Sequence, residues 1–250
     1  MKELKDNFSK QAGYYKKYRP TYPKELFEDI LDLCGERAVC WDCGTGNGQV
    51  AKVLSEYFKK VYATDISAAQ LSKATQDAKI TYSVERAEQT TFKNDQFDLI
   101  TVAQAIHWFD FKDFNKELSR VAKNGAIIAI WGYGLLRIDS MIDTLINSFY
   151  KDVVGPYWDK EREHIDNSYQ TIPLYFKELR LKRDHTIKTK WTLHELDGYL
   201  NTWSSVQNYM AEHQQNPVPQ LIEKIGHFWD DNADKDVTFP IFTRIGTIEK

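Results

Sequence analysis

At 250 residues, 42% hydrophobic and 28% charged, the chain has enough apolar material for one sizeable core. Its net charge of −3 gives no overall attraction to phosphate backbones or anionic lipid, so neither a nucleic-acid partner nor a membrane is expected. No apolar run nears the roughly 20 residues that span a bilayer, and Met1-Lys2-Glu3-Leu4-Lys5-Asp6 lacks the apolar stretch of a secretory signal.

Three cysteines, Cys34, Cys40 and Cys43, cannot all pair within one chain, and a reducing cytoplasm is the simple expectation. No repeat, low-complexity tract or Pro/Gly-rich linker divides the sequence, so residues 1–250 read as a single domain. Within it, residues 1–35 form an N-terminal lid or helical segment.

Ala38–Cys43 is strand-like and opens into glycines. Gln49–Lys59 then places Val50, Val53, Leu54 and Tyr57 on one helical face. Lys60–Asp65 is a second strand, after which Ser67 and Gln70 mark a helix start. Ile80–Glu85 and Phe97–Ala103 follow as strands, then a helix over Lys112–Ala122. Asn124-Gly125 punctuates the chain before the apolar strand Ala126–Trp131. This alternation predicts an α/β fold, doubly wound, around a mostly parallel seven-stranded Rossmann-like sheet.

The pattern changes after Tyr133. Ile138–Asp152 reads as a helix, and residues 133–177 as a helical insertion over the carboxyl edge of the sheet, forming the acceptor side of a pocket. Thr192–Met210 reads as one helix, capped by Thr192 with Glu195 three residues on, between strand-like segments at Leu179–Trp191 and Val237–Glu249.

Gly44, Gly46 and Gly48 sit between a strand and a helix, where ligands of open α/β sheets bind. A dinucleotide site wants G-x-G-x-x-G with pyrophosphate over the helix N-terminus. Here the glycines run G-x-G-x-G behind Asp42, an acid better suited to an ammonium group. Asp65 ends the second strand, where a carboxylate accepts hydrogen bonds from ribose hydroxyls in either ligand.

Asp42-Cys43-Gly44-Thr45-Gly46-Asn47-Gly48 and Thr64-Asp65-Ile66-Ser67 resemble the first two motifs of the class I S-adenosylmethionine-dependent methyltransferases (type 11 domain). Arg86-Ala87-Glu88, Phe97 to Gln104 and Val121 to Gly125 resemble three later ones, in family order. Tyr18-Arg19-Pro20-Thr21-Tyr22-Pro23, Ala103 to Phe109 and Gly198 to Ser204 are similar to the branch that includes trans-aconitate methyltransferase.

The resemblance implies S-adenosylmethionine as cofactor. Gly44, Thr45 and Gly46 would border its methionine part, with Asp42 toward the ammonium. Asp65 would hold the ribose, Ile66 the adenine face, and Ala87 with Glu88 the adenine edge. Gln104 would stand near the methionine end, and Tyr14 and Arg19 would come from the lid, the guanidinium toward the methionine carboxylate. The implied reaction is methyl transfer to a small-molecule acceptor, with a carboxylate oxygen preferred, by a monomer or homodimer. An NAD-binding oxidoreductase and a non-catalytic S-adenosylmethionine-binding sensor are the competing readings.

His107 follows the fourth strand and is the candidate general base; capping a loop or packing on Trp108 is its structural alternative. Trp108, Trp131, Tyr133 and Trp203 are candidates for the acceptor pocket, with core packing as the competing role. Arg137 is weighed as a partner for an acidic acceptor against a solvated role. Cys40-Trp41-Asp42-Cys43 matches C-x-x-C, yet lacks four metal ligands and does not open a helix, so no metal or redox role is assigned. The basic run Lys177–Lys190 alternates with apolar residues and reads as the wet face of a strand.

Overall fold

A computed structural model describes residues 18–230 and 233–250. Helix α1 (Lys24–Leu31) leads into β1 (Val39–Cys43), α2 (Gln49–Leu54), β2 (Lys60–Asp65), α3 (Ala68–Leu71) and β3 (Ile80–Val84). Strand β4 (Phe97–Ala103), α4 (Phe111–Val121) and β5 (Ala122–Tyr133) complete the first half. Next come α5 (Ser140–Ser148), α6 (Arg162–Asp166), β6 (Lys177–Leu179) and β7 (Thr186–Trp191). Helices α7 (Leu193–Leu200), α8 (Ser204–His213) and α9 (Val218–Gly226) precede β8 (Lys235–Thr247).

The sheet runs β3-β2-β1-β4-β5-β8-β6, with β7 paired to β8 off this path. The first five strands are parallel, while β8 is antiparallel to β5, β6 and β7. Strand order reverses between β1 and β4, which puts the topological switch point at the carboxyl end of β1. The described sheet therefore has eight strands, one more than expected. The extra one arises because the strand-like segment Leu179–Trp191 breaks into β6 and β7, which pair with different halves of the long β8.

Side-chain alternation sorts the central strands between two layers. Trp41, Ile100, Ile128 and Ile130 enter one apolar cluster. Cys40, Leu99, Ile127, Ala129 and Trp131 enter the opposite one. This two-sided covering explains why β4 is buried from Phe97 through Val102. A third cluster joins α5, α7, α8 and α9 through Ile142, Ile146, Leu196, Leu200, Val206 and Ile225.

Several element ends differ from expectation. Helix α2 stops at Leu54, where Ser55 Oγ donates to the Lys52 carbonyl. Strand β5 begins at Ala122 rather than Ala126, because Gly125 at φ +80° carries the chain through an irregular register and keeps it in the sheet. The expected helix over Thr192–Met210 is two helices. Thr202 Oγ1 donates to the Tyr199 carbonyl and Trp203 is extended (ψ 133°), which ends α7 and restarts the chain as α8. The capping box of Thr192 and Glu195 forms as its spacing predicts.

Candidate active site

The glycine loop leaves β1 at Cys43 and enters α2 at Gln49. Gly44, Gly46 and Gly48 all have positive φ (69°, 56° and 80°). A Cβ on Gly44 would stand 2.5 Å from the Ala105 Cβ, so that turn packs against the chain following β4. A Cβ on Gly46 would meet nothing within 4 Å. Gly46 lines the main cleft, and the space at its missing side chain is open.

Asp42 is 1% exposed beneath the loop. It accepts hydrogen bonds from Thr45 Oγ1, from Thr101 Oγ1 (2.8 Å) and from the Ala51 amide (3.1 Å). Burial pushes its carboxyl up to about 6, with those three hydrogen bonds pulling the other way. The side chain thus clamps the loop to β4 and to the first turn of α2.

Asp65 ends β2 and accepts from the Gly46 amide and the Ser67 amide, both at 2.8 Å. Asp65 also lines the cleft. Ile66 beside it is 37% exposed, an apolar platform on the same wall. Ala87 and Glu88 form the cleft's far end; Glu88 accepts from the Asp110 amide at 2.9 Å and pairs with Arg86 at 3.2 Å.

At the other end, Gln104 takes the left-handed region (φ 53°), unusual for a non-glycine residue. Its amide donates to the Trp131 carbonyl (2.9 Å) and its Nε2 to the Tyr133 carbonyl (3.3 Å). Arg19 donates to the Tyr133 hydroxyl at 2.9 Å. Arg19, Gln104 and Trp108 line both the cleft and a second, smaller chamber, so the two spaces adjoin at these residues. His107, Trp158, Arg162 and Trp203 complete much of the second chamber.

A model of the methyltransferase domain matches residues 41–130, which run from β1 through β5. A Dictyostelium discoideum protein described as a methyltransferase is 31% identical over 245 residues, covering 95% of this chain and 93% of that protein. The chain belongs to the S-adenosylmethionine-dependent methyltransferase family. A Saccharomyces cerevisiae protein described as an S-adenosylmethionine-dependent methyltransferase is 29% identical, over 66% of this chain and 60% of its own length. The solved structure of an Anaeromyxobacter dehalogenans protein assigned as a type II methyltransferase superposes with a TM-score of 0.85 at 34% identity. It covers 93% of this chain and 99% of that one.

In this methyltransferase the cleft brings together Arg19, Asp42, Gly44, Thr45, Gly46, Asp65, Ile66, Ala87, Glu88 and Gln104, as well as Trp108 and Tyr133. Tyr14 lies outside the described residues. His107 is 4% exposed and its Nδ1 lies 3.0 Å from the Tyr169 hydroxyl. Trp131 requires a correction. It is fully buried, edge-on to Tyr22 and Phe27, and touches neither chamber, because the β5 alternation turns it into the core layer. Arg137 pairs through its backbone with Thr238 at the sheet, and does not line either chamber.

Trp158 and Arg162, between α5 and β6, and Phe109 after β4 line these spaces without having been expected there. Trp158 and Arg162 occupy a segment without a motif or clear periodicity, so nothing local marked them. The aromatic excess was the available signal. Among the described residues no helix is long and apolar enough to cross a membrane, and no cluster of His, Cys, Asp and Glu suits a metal.

Proposed function

We propose that this methyltransferase delivers the methyl group to a small molecule held in the chamber beside Gln104, with a carboxylate oxygen as the receiving atom. The observation that carries the reading is that chamber itself. It adjoins the cofactor cleft at Arg19, Gln104 and Trp108 and is walled by Trp108, Trp158 and Trp203. Such a small, tryptophan-walled space suits a compact ligand rather than a polymer.

The cleft fits the cofactor on three counts. Space is open at Gly46, the Asp65 carboxylate stands at the tip of β2, and Ile66 exposes an apolar face. Asp65 would hold the ribose, Ile66 the adenine face, Ala87 and Glu88 its edge, and the Gly44–Gly46 backbone the methionine part. When bound, the cofactor supplies an electrophilic methyl on a sulfonium, whose displacement leaves a neutral thioether. The chain's part is to align the acceptor in line with that methyl and to exclude water.

Gln104, held by two backbone carbonyls, and Arg19, held by Tyr133, define the junction across which transfer occurs. A carboxylate acceptor is already anionic and needs no base. The engagement of His107 Nδ1 by Tyr169 supports a positioning role for that imidazole. The similarity of residues 18–23, 103–109 and 198–204 to the trans-aconitate methyltransferase branch also supports an acidic acceptor.

Calorimetric titration with S-adenosylmethionine, S-adenosylhomocysteine and NAD tests the cofactor, with binding of the first two and not the third expected. Asp65→Asn should weaken that binding at least about tenfold, the scale of a lost charge-assisted hydrogen bond. Incubation with labelled methyl donor and small carboxylic acids tests the acceptor. Transfer to amines alone, with no acid labelled, would sink the carboxylate reading.

A further inference from the structure

We propose that Arg162, braced on Trp158, is a specificity residue that grips an anionic group of the acceptor and selects acids over neutral analogues. The inference rests on reading the second chamber as the acceptor site. Arg162 opens α6 in the insertion and lines that chamber but not the cofactor cleft.

Its guanidinium is held on one edge and one face. Nε donates to the Tyr150 hydroxyl at 2.8 Å and reaches Asp166 at 3.3 Å. The guanidinium carbon lies 4.5 Å from the Trp158 ring centroid and 5.2 Å from that of Tyr150. The terminal nitrogens Nη1 and Nη2 make no hydrogen bond among the described residues, and the side chain keeps 20% exposure. A planar fork with its Nε edge anchored leaves the Nη1–Nη2 edge for a carboxylate, which it binds through two parallel hydrogen bonds. Little rotamer freedom remains to be lost, because the rings already fix the plane.

Two further features agree. Trp158 also lines the chamber, and its buried Nε1 has no hydrogen-bond partner among the described residues. An indole N–H and guanidinium N–H groups are donors only, so the groups left over ask for an acceptor-rich ligand. The charge balance of the wall is positive as well. Arg19 and Arg162 stand with one lining carboxylate, Asp159. Asp166, half exposed, pairs with the anchored Nε edge.

The test is tryptophan fluorescence of the full chain saturated with S-adenosylhomocysteine. It is titrated with benzoate, phenylacetate and succinate, and with their carboxamides at matched ionic strength. At least one acid should bind saturably and roughly tenfold or more tighter than its amide, the scale of a charge-assisted pair. Arg162→Gln should bring acid and amide within about twofold and leave S-adenosylhomocysteine affinity unchanged, while Arg162→Lys keeps part of the preference. Equal binding of acid and amide, a preference that survives Arg162→Gln, or no saturable acid overturns the proposal. Labelled methyl transfer separates it from the acceptor reading. Arg162-dependent acid binding without any labelled acid refutes the acceptor site alone. Labelling of acids with KM unmoved by Arg162→Gln refutes the grip alone.

Discussion

Replacing Gly46 with alanine distinguishes a glycine kept for ligand access from one kept for packing. At φ 56° an alanine costs roughly 1–2 kcal/mol for its left-handed backbone. Its Cβ meets nothing within 4 Å, so no overpacking adds to that cost. Gly44→Ala carries the same backbone penalty at φ 69°, and its Cβ would stand 2.5 Å from the Ala105 Cβ and 3.5 Å from the Phe109 ring. Overpacking of that kind typically costs a further 1–3 kcal/mol, for a total of roughly 2–5 kcal/mol. Urea unfolding of the ligand-free chain reads these values without the added stability that bound cofactor would contribute. Calorimetry then reads the second consequence. The Gly46→Ala methyl occupies cleft volume, and S-adenosylhomocysteine affinity should fall by about tenfold or more, the effect of roughly 1.4 kcal/mol. If Gly46→Ala destabilised the chain as much as Gly44→Ala, or bound the ligand as tightly as the parent, the assignment of its open side to the cofactor would fail.

Asp42 makes stability depend on pH in a stated direction. Its folded carboxyl is raised from 3.8 to about 6, chiefly by burial, so the fold favours the protonated form. The stability this group contributes is full below pH 3.8 and is lost as pH rises through about 6, by roughly 3 kcal/mol. Urea unfolding of Asp42→Asn and the parent at pH 4 and pH 7.5 should show the difference between them moving toward the variant at the higher pH. A pH-independent difference counts against the buried charge. Trp131→Ala should cost roughly 3–5 kcal/mol as a core truncation. Trp131→Phe should leave cofactor affinity and acceptor KM unchanged, and a raised KM would return this residue to the pocket wall.

Much of the main cleft was legible in the sequence, for a local reason. Strand β1, the glycine turn, Asp65 at the end of β2 and Ala87-Glu88 after β3 are short segments whose spacing follows from strand period and turn chemistry. Each βαβ unit delivers its strand end to the same crevice, so residues far apart in the chain converge without any need to know the packing. The second chamber was only partly legible. His107 and Trp108 follow β4 and were placed by the same logic. Trp131 was not, because alternation specifies that neighbours on β5 face opposite layers without specifying which layer is the deeper.

The sequence by itself therefore determined the α/β alternation, the glycine loop with its acid and the family. All of these depend on interactions between near neighbours or on the handedness of strand–helix–strand connections. Tertiary structure decided that the far half of β8 recruits β7 as an eighth strand, and that one expected helix breaks at Trp203. It also placed Trp158 and Arg162 in the wall of one chamber with Gln104 and His107, which follow β4. That placement depends on Trp158 and Ile165 packing into two different apolar clusters, and no local pattern records which faces meet.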